Sequence, residues 1–318
     1  MYDLIVIGGG PAGLAAATYA LDKKLAVALV CANFGGKAGM AQQLEGQATS
    51  HQPLLGEQAV EDLKQRISMH PDCIMNDNVV GVRRQQAEFH VITEGRTLQG
   101  ATVVIATGAQ PRFVHIPDEW LLLGHGLAYS ITTHAQAVAG RDVAVVGSTA
   151  RALRGVAELT QVANRIVLIA PDMGEFSSEL GQQLRAHPRI ICFDGYHVQA
   201  TETQDGAVHA LIIAKGDETQ RIPVSAVFVD MGLVPSTQMF RQFVQCDPTG
   251  RIMVDARQQT SVAGVYAAGD VTNAPCEHIL IAIGDGVRAA QSAYDYVSAR
   301  RLGSSAKQVG AGNINDNS

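Results

Sequence analysis

Three glycines near the start constrain this chain most. Asp3 to Ile7 is an apolar run of strand length that ends on Gly8-Gly9-Gly10-Pro11-Ala12-Gly13, and Ala12 to Leu21 continues as an Ala/Leu-rich helix. Strand, glycine turn and helix, with Gly8, Gly10 and Gly13 at G-x-G-x-x-G spacing, is the arrangement that binds a dinucleotide. Gly8 makes the tight turn, Gly10 lets the backbone approach a pyrophosphate, and Gly13 lets the helix pack on the strand. The helix N-terminus then presents N–H groups and a positive dipole end to the phosphates. A glycine-rich loop of some other α/β protein is the plainer reading, but here both flanks of the fingerprint are correct.

A second copy begins at Asp142-Val-Ala-Val-Val-Gly147, followed by a helical stretch from Ala150 to Ala163 and a strand from Arg165 to Ala170. The order of signals after each fingerprint also repeats. In the first half a hairpin at Glu94-Gly95 precedes Thr102 to Ala106, which runs into Thr107-Gly108; in the second, Asp205-Gly206 precedes Ala226 to Met231, which runs into Gly232. The last segment, the strand Val265 to Ala268 ending in Gly269-Asp270 and a long helix from Ile279 to Arg300, repeats nothing in the second half and supplies a piece missing from the first. The expected fold is therefore α/β: two Rossmann-like domains, the second inserted into the first, each with a small β-meander. The expected boundaries are 1–116 with 245–302 for the first domain, 117–244 for the second, and a disordered tail over 303–318. A length of 318 residues suits two domains of about 150 each.

Charge and cysteine usage remove other classes. Lys and Arg number 24 against 30 Asp and Glu, a net charge of -6, and no long basic run is present, which argues against a nucleic-acid binder. The five cysteines, at 31, 73, 192, 246 and 276, form no C-x-x-C, so neither a zinc site nor a disulfide framework is expected. Leu4 to Leu21 is uncharged and approaches the length of a membrane span, yet Asp3 precedes it and Gly8 to Pro11 interrupt it. A soluble cytoplasmic protein without a membrane span is expected.

Four stretches together carry a family likeness: Ile7-Gly-Gly-Gly-Pro-Ala-Gly13, Phe34-Gly-Gly36, Val104-Ile-Ala-Thr-Gly-Ala109 and Val265-Tyr-Ala-Ala-Gly-Asp-Val271. To about residue 300 the chain resembles the low-molecular-weight thioredoxin reductases and the flavoprotein half of alkyl hydroperoxide reductase. The resemblance implies an FAD-dependent oxidoreductase and a homodimer. It places Gly8, Gly10, Pro11, Ala12 and Gly13 at the FAD pyrophosphate and Asp270, after Gly269, at the ribityl or phosphate region. Gly36 and Lys37 fall along the flavin, Val80 near the adenine, Ala106, Thr107 and Gly108 beside the cofactor, and the backbone of Glu277, His278 and Ile279 at the flavin pyrimidine edge. The family acid that binds the adenine ribose is missing from Val30-Cys31-Ala32-Asn33, and Asn33 alone is left to substitute.

The chain departs from the family at two further places. Where the resemblance sets a C-x-x-C-D motif, eight residues before the second fingerprint strand, the sequence reads Ser130-Ile131-Thr132-Thr133-His134. Hydroxyls form no disulfide and relay no electrons. His134 becomes a candidate proton donor near the flavin, against the plainer reading of a packed or surface histidine. Cys276 is a second candidate for redox chemistry, because it precedes the last helix and a helix N-terminus lowers a thiol pKa. The second fingerprint reads Gly147-Ser148-Thr149-Ala150-Arg151-Ala152, with Thr149 where a glycine would admit the pyrophosphate. The family's H-R-R for the NADPH 2′-phosphate is replaced by Ala170-Pro171-Asp172, and Asp172 would repel that phosphate, although Arg151 and Arg154 add positive charge at the helix start.

Weak or absent NADPH use is expected. Three readings follow. One is an FAD enzyme exchanging electrons directly with a partner such as a ferredoxin, a quinone or oxygen. Another is an NAD(P)H-dependent reductase in which the altered domain still works. The third is a non-catalytic flavoprotein whose second domain holds another nucleotide or a second flavin.

Overall fold

The strands of the computed structural model, which describes residues 1–39, 56–274 and 276–312, are built from the runs that the sequence marks as apolar. Two compact units emerge. The described part of the first comprises residues 1–39, 56–109 and 235–312 with the one gap, and that of the second is Gln110–Val234. The described chain leaves the first unit after Ala109 and returns to it at Pro235.

In the first unit β1 (Tyr2–Ile7), α1 (Pro11–Asp22), β2 (Val27–Val30), α2 (Glu57–Ser68) and β3 (Ile74–Met75) are followed by β4 (Val79–Gln85), β5 (Glu88–Thr93) and β6 (Thr97–Ile105). The second unit takes in most of β7 (Ala109–Pro111), then β8 (Leu127–Ala128), α3 (Ile131–His134), β9 (Asp142–Val146), α4 (Ala150–Leu159), β10 (Arg165–Ala170), α5 (Glu179–Arg185) and β11 (Ile190–Asp194). It continues through β12 (His197–Gln204), β13 (Ala207–Lys215), β14 (Glu218–Pro223), β15 (Ala226–Val229) and β16 (Leu233–Pro235), and the chain returns to the first unit for β17 (Val265–Ala267) and α6 (Ile279–Gly312).

The parallel part of the first sheet runs β3-β2-β1-β6-β17, and β5 and β4 continue antiparallel from the N-terminal half of β6 as a meander. The second runs β11-β10-β9-β15-β8, all parallel, with β12-β13-β14 as a separate antiparallel sheet. Leu4 to Ile7 and Val143 to Val146 are buried throughout, as strands covered on both faces require. Asp205 and Gly206, both at positive φ, make the two-residue turn between β12 and β13 that their sequence predicts.

The two sheets correct one expectation. The final segment does have a counterpart in the second half: β17 lies beside β6 as β8 lies beside β15. The counterpart precedes its fingerprint strand instead of ending the domain, and at two residues it is too short to show a periodicity. The last helix also continues to Gly312, beyond the expected end near Arg300, because Ser, Ala, Lys and Gln tolerate a helix.

Candidate dinucleotide site

The site in the first unit is built on the β1-to-α1 turn. Gly8 sits at φ +112°, and a Cβ there would lie 2.3 Å from the Ala106 carbonyl oxygen at the end of β6. On Gly13 it would lie 1.8 Å from the Gly8 carbonyl oxygen, so turn and helix touch backbone to backbone. Gly10 differs: its nearest neighbour to such an atom is the Gly36 Cα at 4.0 Å, an ordinary van der Waals contact without a clash. Gly10 is also the N-cap of α1, Pro11 follows in the first turn, and no side chain caps the helix. A helix N-terminus without a side-chain cap, beside a glycine that nothing crowds, fits a diphosphate, whose charge the dipole favours and whose oxygens the amides bind.

Other expected residues surround this turn. Gly36, at φ +57°, abuts Gly10, and Gly269, at φ +76°, abuts Ala12. Lys37 Nζ and Asp270 Oδ2 are 2.8 Å apart. Thr107 donates its hydroxyl to the Ser236 carbonyl, and the Ser236 amide bonds back to the carbonyl of Gly108. At the start of α6 the His278 carbonyl accepts from Ala282 and its Nδ1 from the Leu280 amide, with Ile279 as the first helical residue. A cavity of about 320 Å³ lies at the ends of β2 and β3, lined by Cys31, Ala32, Phe34, Ser68, Ile74 and Asn76. Its side-chain amide is that of Asn76, whereas Asn33 is exposed and Val80 is exposed on β4.

The corresponding turn of the second unit is closed by its own side chains. Gly147 repeats the part of Gly8, with a Cβ there 2.1 Å from the Asp230 carbonyl oxygen. Thr149, however, caps α4 by accepting a hydrogen bond from the Ala152 amide at 3.1 Å, so one amide of its first turn is already taken by the chain itself. Ser148 donates its hydroxyl to Asp172 Oδ1. The Glu175 amide donates to the Ser148 carbonyl at 2.8 Å, and a Cβ on Gly174 would meet that same oxygen at 2.3 Å, so the loop after β10 lies on the turn. Arg151, the cation expected to attract a phosphate, reaches buried Asp230 at 3.1 Å and the Tyr129 carbonyl at 3.1 Å.

The family model for pyridine nucleotide-disulphide oxidoreductases matches residues 2–295. The chain belongs to that family. Relatives include the F component of alkyl hydroperoxide reductase from Xanthomonas campestris pv. phaseoli, 32% identical over 307 residues, which cover 93% of this chain and 57% of the relative. The same component from Pseudomonas putida is 30% identical over 316 residues, covering 93% and 58%. The chain therefore spans under three-fifths of the length of these relatives. Among solved structures, thioredoxin reductase from Streptococcus pyogenes MGAS5005 superposes with a TM-score of 0.82 at 24% identity, covering 94% of this chain and 99% of that one. Thioredoxin reductase from Giardia duodenalis gives 0.82 at 22%, covering 93% and 99%. The fold is thioredoxin reductase-like, with two Rossmann-type domains.

Against the family's dithiol, the stretch 130–134 of this member forms α3 and its N-cap. Ile131 packs on Gly155 of α4, where a Cβ would lie 2.5 Å from Ile131 Cδ1. His134 is buried, and its Nδ1 lies 3.0 Å from the Ser130 carbonyl oxygen one turn back. All five cysteines are free. Burial pushes the thiols of Cys31, Cys73, Cys192 and Cys246 above their ordinary pKa, which keeps them as poor nucleophiles. Cys276 is exposed just ahead of α6.

Three features of the first unit lie outside the sequence reading. Gly9 packs on Cys31, with a Cβ position 2.7 Å from its Sγ, and Gly286 of α6 packs on the Ala12 carbonyl, with one 2.1 Å away. Asp285 is buried beside Gln258, whose Nε2 donates to its Oδ1 at 2.9 Å, and burial pushes its carboxyl pKa up. The signal for the last two was present: glycines and an acid inside an otherwise apolar helix are costly unless something packs there. Among the described residues no helix is long and apolar enough to cross a membrane, and no group of His, Cys, Asp and Glu could hold a metal ion.

Proposed function

We propose that this chain is an FAD-dependent oxidoreductase in which the first unit holds FAD and electrons pass through the flavin without a dithiol of the chain's own. NADPH is not the donor in this reading. The observation that carries it is the contrast between two helix N-termini. That of α1 has no side-chain cap and a Cβ on Gly10 beside it would clash with nothing, while that of α4 is capped by Thr149 under a loop held by Ser148 and Asp172. A diphosphate that docked on α4 would displace hydrogen bonds already made, whereas on α1 it satisfies amides that lack a side-chain partner.

In this reading Gly8, Gly10, Ala12 and Gly13 hold the diphosphate, the cavity walled by Cys31, Phe34 and Asn76 takes the adenosine half, and Thr107, Gly108, His278 and Ile279 border the flavin. The flavin, when bound, supplies one- and two-electron transfer. These residues would bind and orient it, and the positive end of α6 would favour negative charge developing near it. A homodimer and a protein electron partner such as a ferredoxin belong to the same reading.

One observation favours a second reading. Asp172 follows the second strand of the second fingerprint, where dinucleotide folds place the acid that takes a ribose 2′-hydroxyl. An NADH-dependent reductase would use it so, with Ser148 already turning the carboxylate toward the glycine turn.

Flavin content tests the proposal. Acid release of the nucleotide from the purified chain and its quantitation are expected to give one FAD per chain. No FAD contradicts the proposal, and two flavins per chain would assign the second to the capped unit and contradict its closure.

A further inference from the structure

Gln258 and Asp285 are both buried, one in the loop before β17 and the other in α6. Gln258 Nε2 donates to Asp285 Oδ1 at 2.9 Å across 27 positions of chain. That bond leaves one oxygen on each side chain, Gln258 Oε1 and Asp285 Oδ2, and both are shut away from solvent without a hydrogen-bond partner. Gln258 also holds a left-handed backbone, at φ +61°, which a residue other than glycine keeps only where its surroundings hold it. Its amide donates to the Asp255 carbonyl and its carbonyl accepts from Ala267 of β17, which fixes where the side chain leaves the loop.

A buried carboxylate with one oxygen unpaired, beside an amide oxygen also unpaired, is an expensive arrangement. A proton on Oδ2 removes both deficits at once, because a protonated carboxyl gains an O–H donor and the amide oxygen is the acceptor left over. We propose that Asp285 carries a proton at neutral pH and donates through it to Gln258 Oε1, so that two hydrogen bonds lock α6 to the loop before β17 and the lock opens when the proton leaves. The next residue, Gly286, packs on the Ala12 carbonyl in the first turn of α1, so opening loosens α6 where it meets that helix.

The surrounding charges leave room for the neutral form. On α6 itself Arg288 Nη1 is 3.7 Å from Asp285 Oδ1, but its side chain is 54% exposed, so water screens it. After β17 the Gly269 amide favours the anion, whereas Asp270, itself paired with Lys37, opposes a second negative charge. In the loop of Gln258, Arg257 pairs with Asp295, and Asp255 accepts the amides of Arg257 and Gln259. From α1 come Tyr19, whose hydroxyl donates to Gln291, and Asp22, paired with Arg66; from β17 comes Tyr266, whose hydroxyl donates to the Ser292 carbonyl. Burial outweighs these and holds the Asp285 carboxyl above its ordinary range.

Carbon-13 NMR of the full chain, labelled at the aspartate side-chain carboxyl, reads the proton directly whatever the chain binds, so the test does not depend on the FAD reading. At neutral pH wild type is expected to show a signal of the protonated type that is absent from Asp285→Asn. Urea unfolding checks the lock. Folded Asp285 keeps its proton to higher pH than the unfolded residue, so its contribution is complete below the ordinary value of about 3.9 and is lost as pH rises through the folded one. Asn offers Gln258 the same donor and acceptor as the protonated acid and cannot ionise. The urea midpoint of Asp285→Asn is therefore expected to exceed that of wild type by a margin that grows between about pH 5 and 8. The proposal is overturned if wild type shows only ionised carboxyl signals, if the protonated signal persists in the variant, or if the variant is less stable than wild type at every pH or does not fold.

Discussion

Gly10 and Gly13 stand three residues apart in one motif, yet the structure gives them opposite tolerances. A methyl on Gly13 would overlap the Gly8 carbonyl, with no flexible atom to yield, whereas one on Gly10 meets only the Gly36 Cα at an ordinary 4.0 Å. Gly13→Ala is therefore expected to destabilise the fold by on the order of 3 kcal/mol, at the upper end of overpacking. Gly10→Ala should cost under about 1 kcal/mol, as a changed N-cap, while weakening FAD binding tenfold or more. Urea unfolding and flavin release measured on both variants check this split, and similar stabilities would contradict it. At this scale much was legible, because each fingerprint glycine answers a local steric demand. Lys37 and Asp270 were legible only as two separate residues, since a bridge across 233 positions is a property of the fold. Asn76 was not legible: nothing in its surroundings in sequence shows that β3 ends beside β2 and brings its amide to the cavity wall.

Helices α1 and α4 show how one element can be rebuilt for a different task. Both follow a central strand and a glycine whose missing Cβ faces a neighbouring carbonyl. Sequence shows that a glycine is absent at 149; the structure adds what threonine does there, which is to take over an amide that phosphate would otherwise bind. Thr149→Ala is expected to destabilise the chain by about 1 kcal/mol, the usual worth of an N-cap side chain, measured by denaturant unfolding of the second unit's transition. No loss would mean that the cap is idle and the helix end available. Short elements were the hardest to read. The two residues of β8 carry no alternation or period, so the equivalence of β8 and β17 depends on pairing with β15 and β6. By contrast β1, β9, β10, β15 and the part of β6 from Thr102 are largely apolar runs, and their sequence signals suffice.

Taken whole, the molecule keeps the duplicated plan of its family and differentiates the halves. The first keeps a glycine turn without a side-chain cap, a cavity at the ends of β2 and β3, and two helix N-termini; the second keeps the sheet but folds its own side chains over the equivalent turn. Length and paired fingerprints made the two-domain plan legible, whereas the crossing points and the capped turn depend on contacts between distant segments. Flavin chemistry that runs without NADPH delivered by the second unit is the central claim. An anaerobic titration of the yellow holoprotein with micromolar NADPH, followed by the flavin absorbance, tests it most directly. The band is expected to persist with NADPH while dithionite bleaches it at once; rapid bleaching by NADPH would contradict the claim.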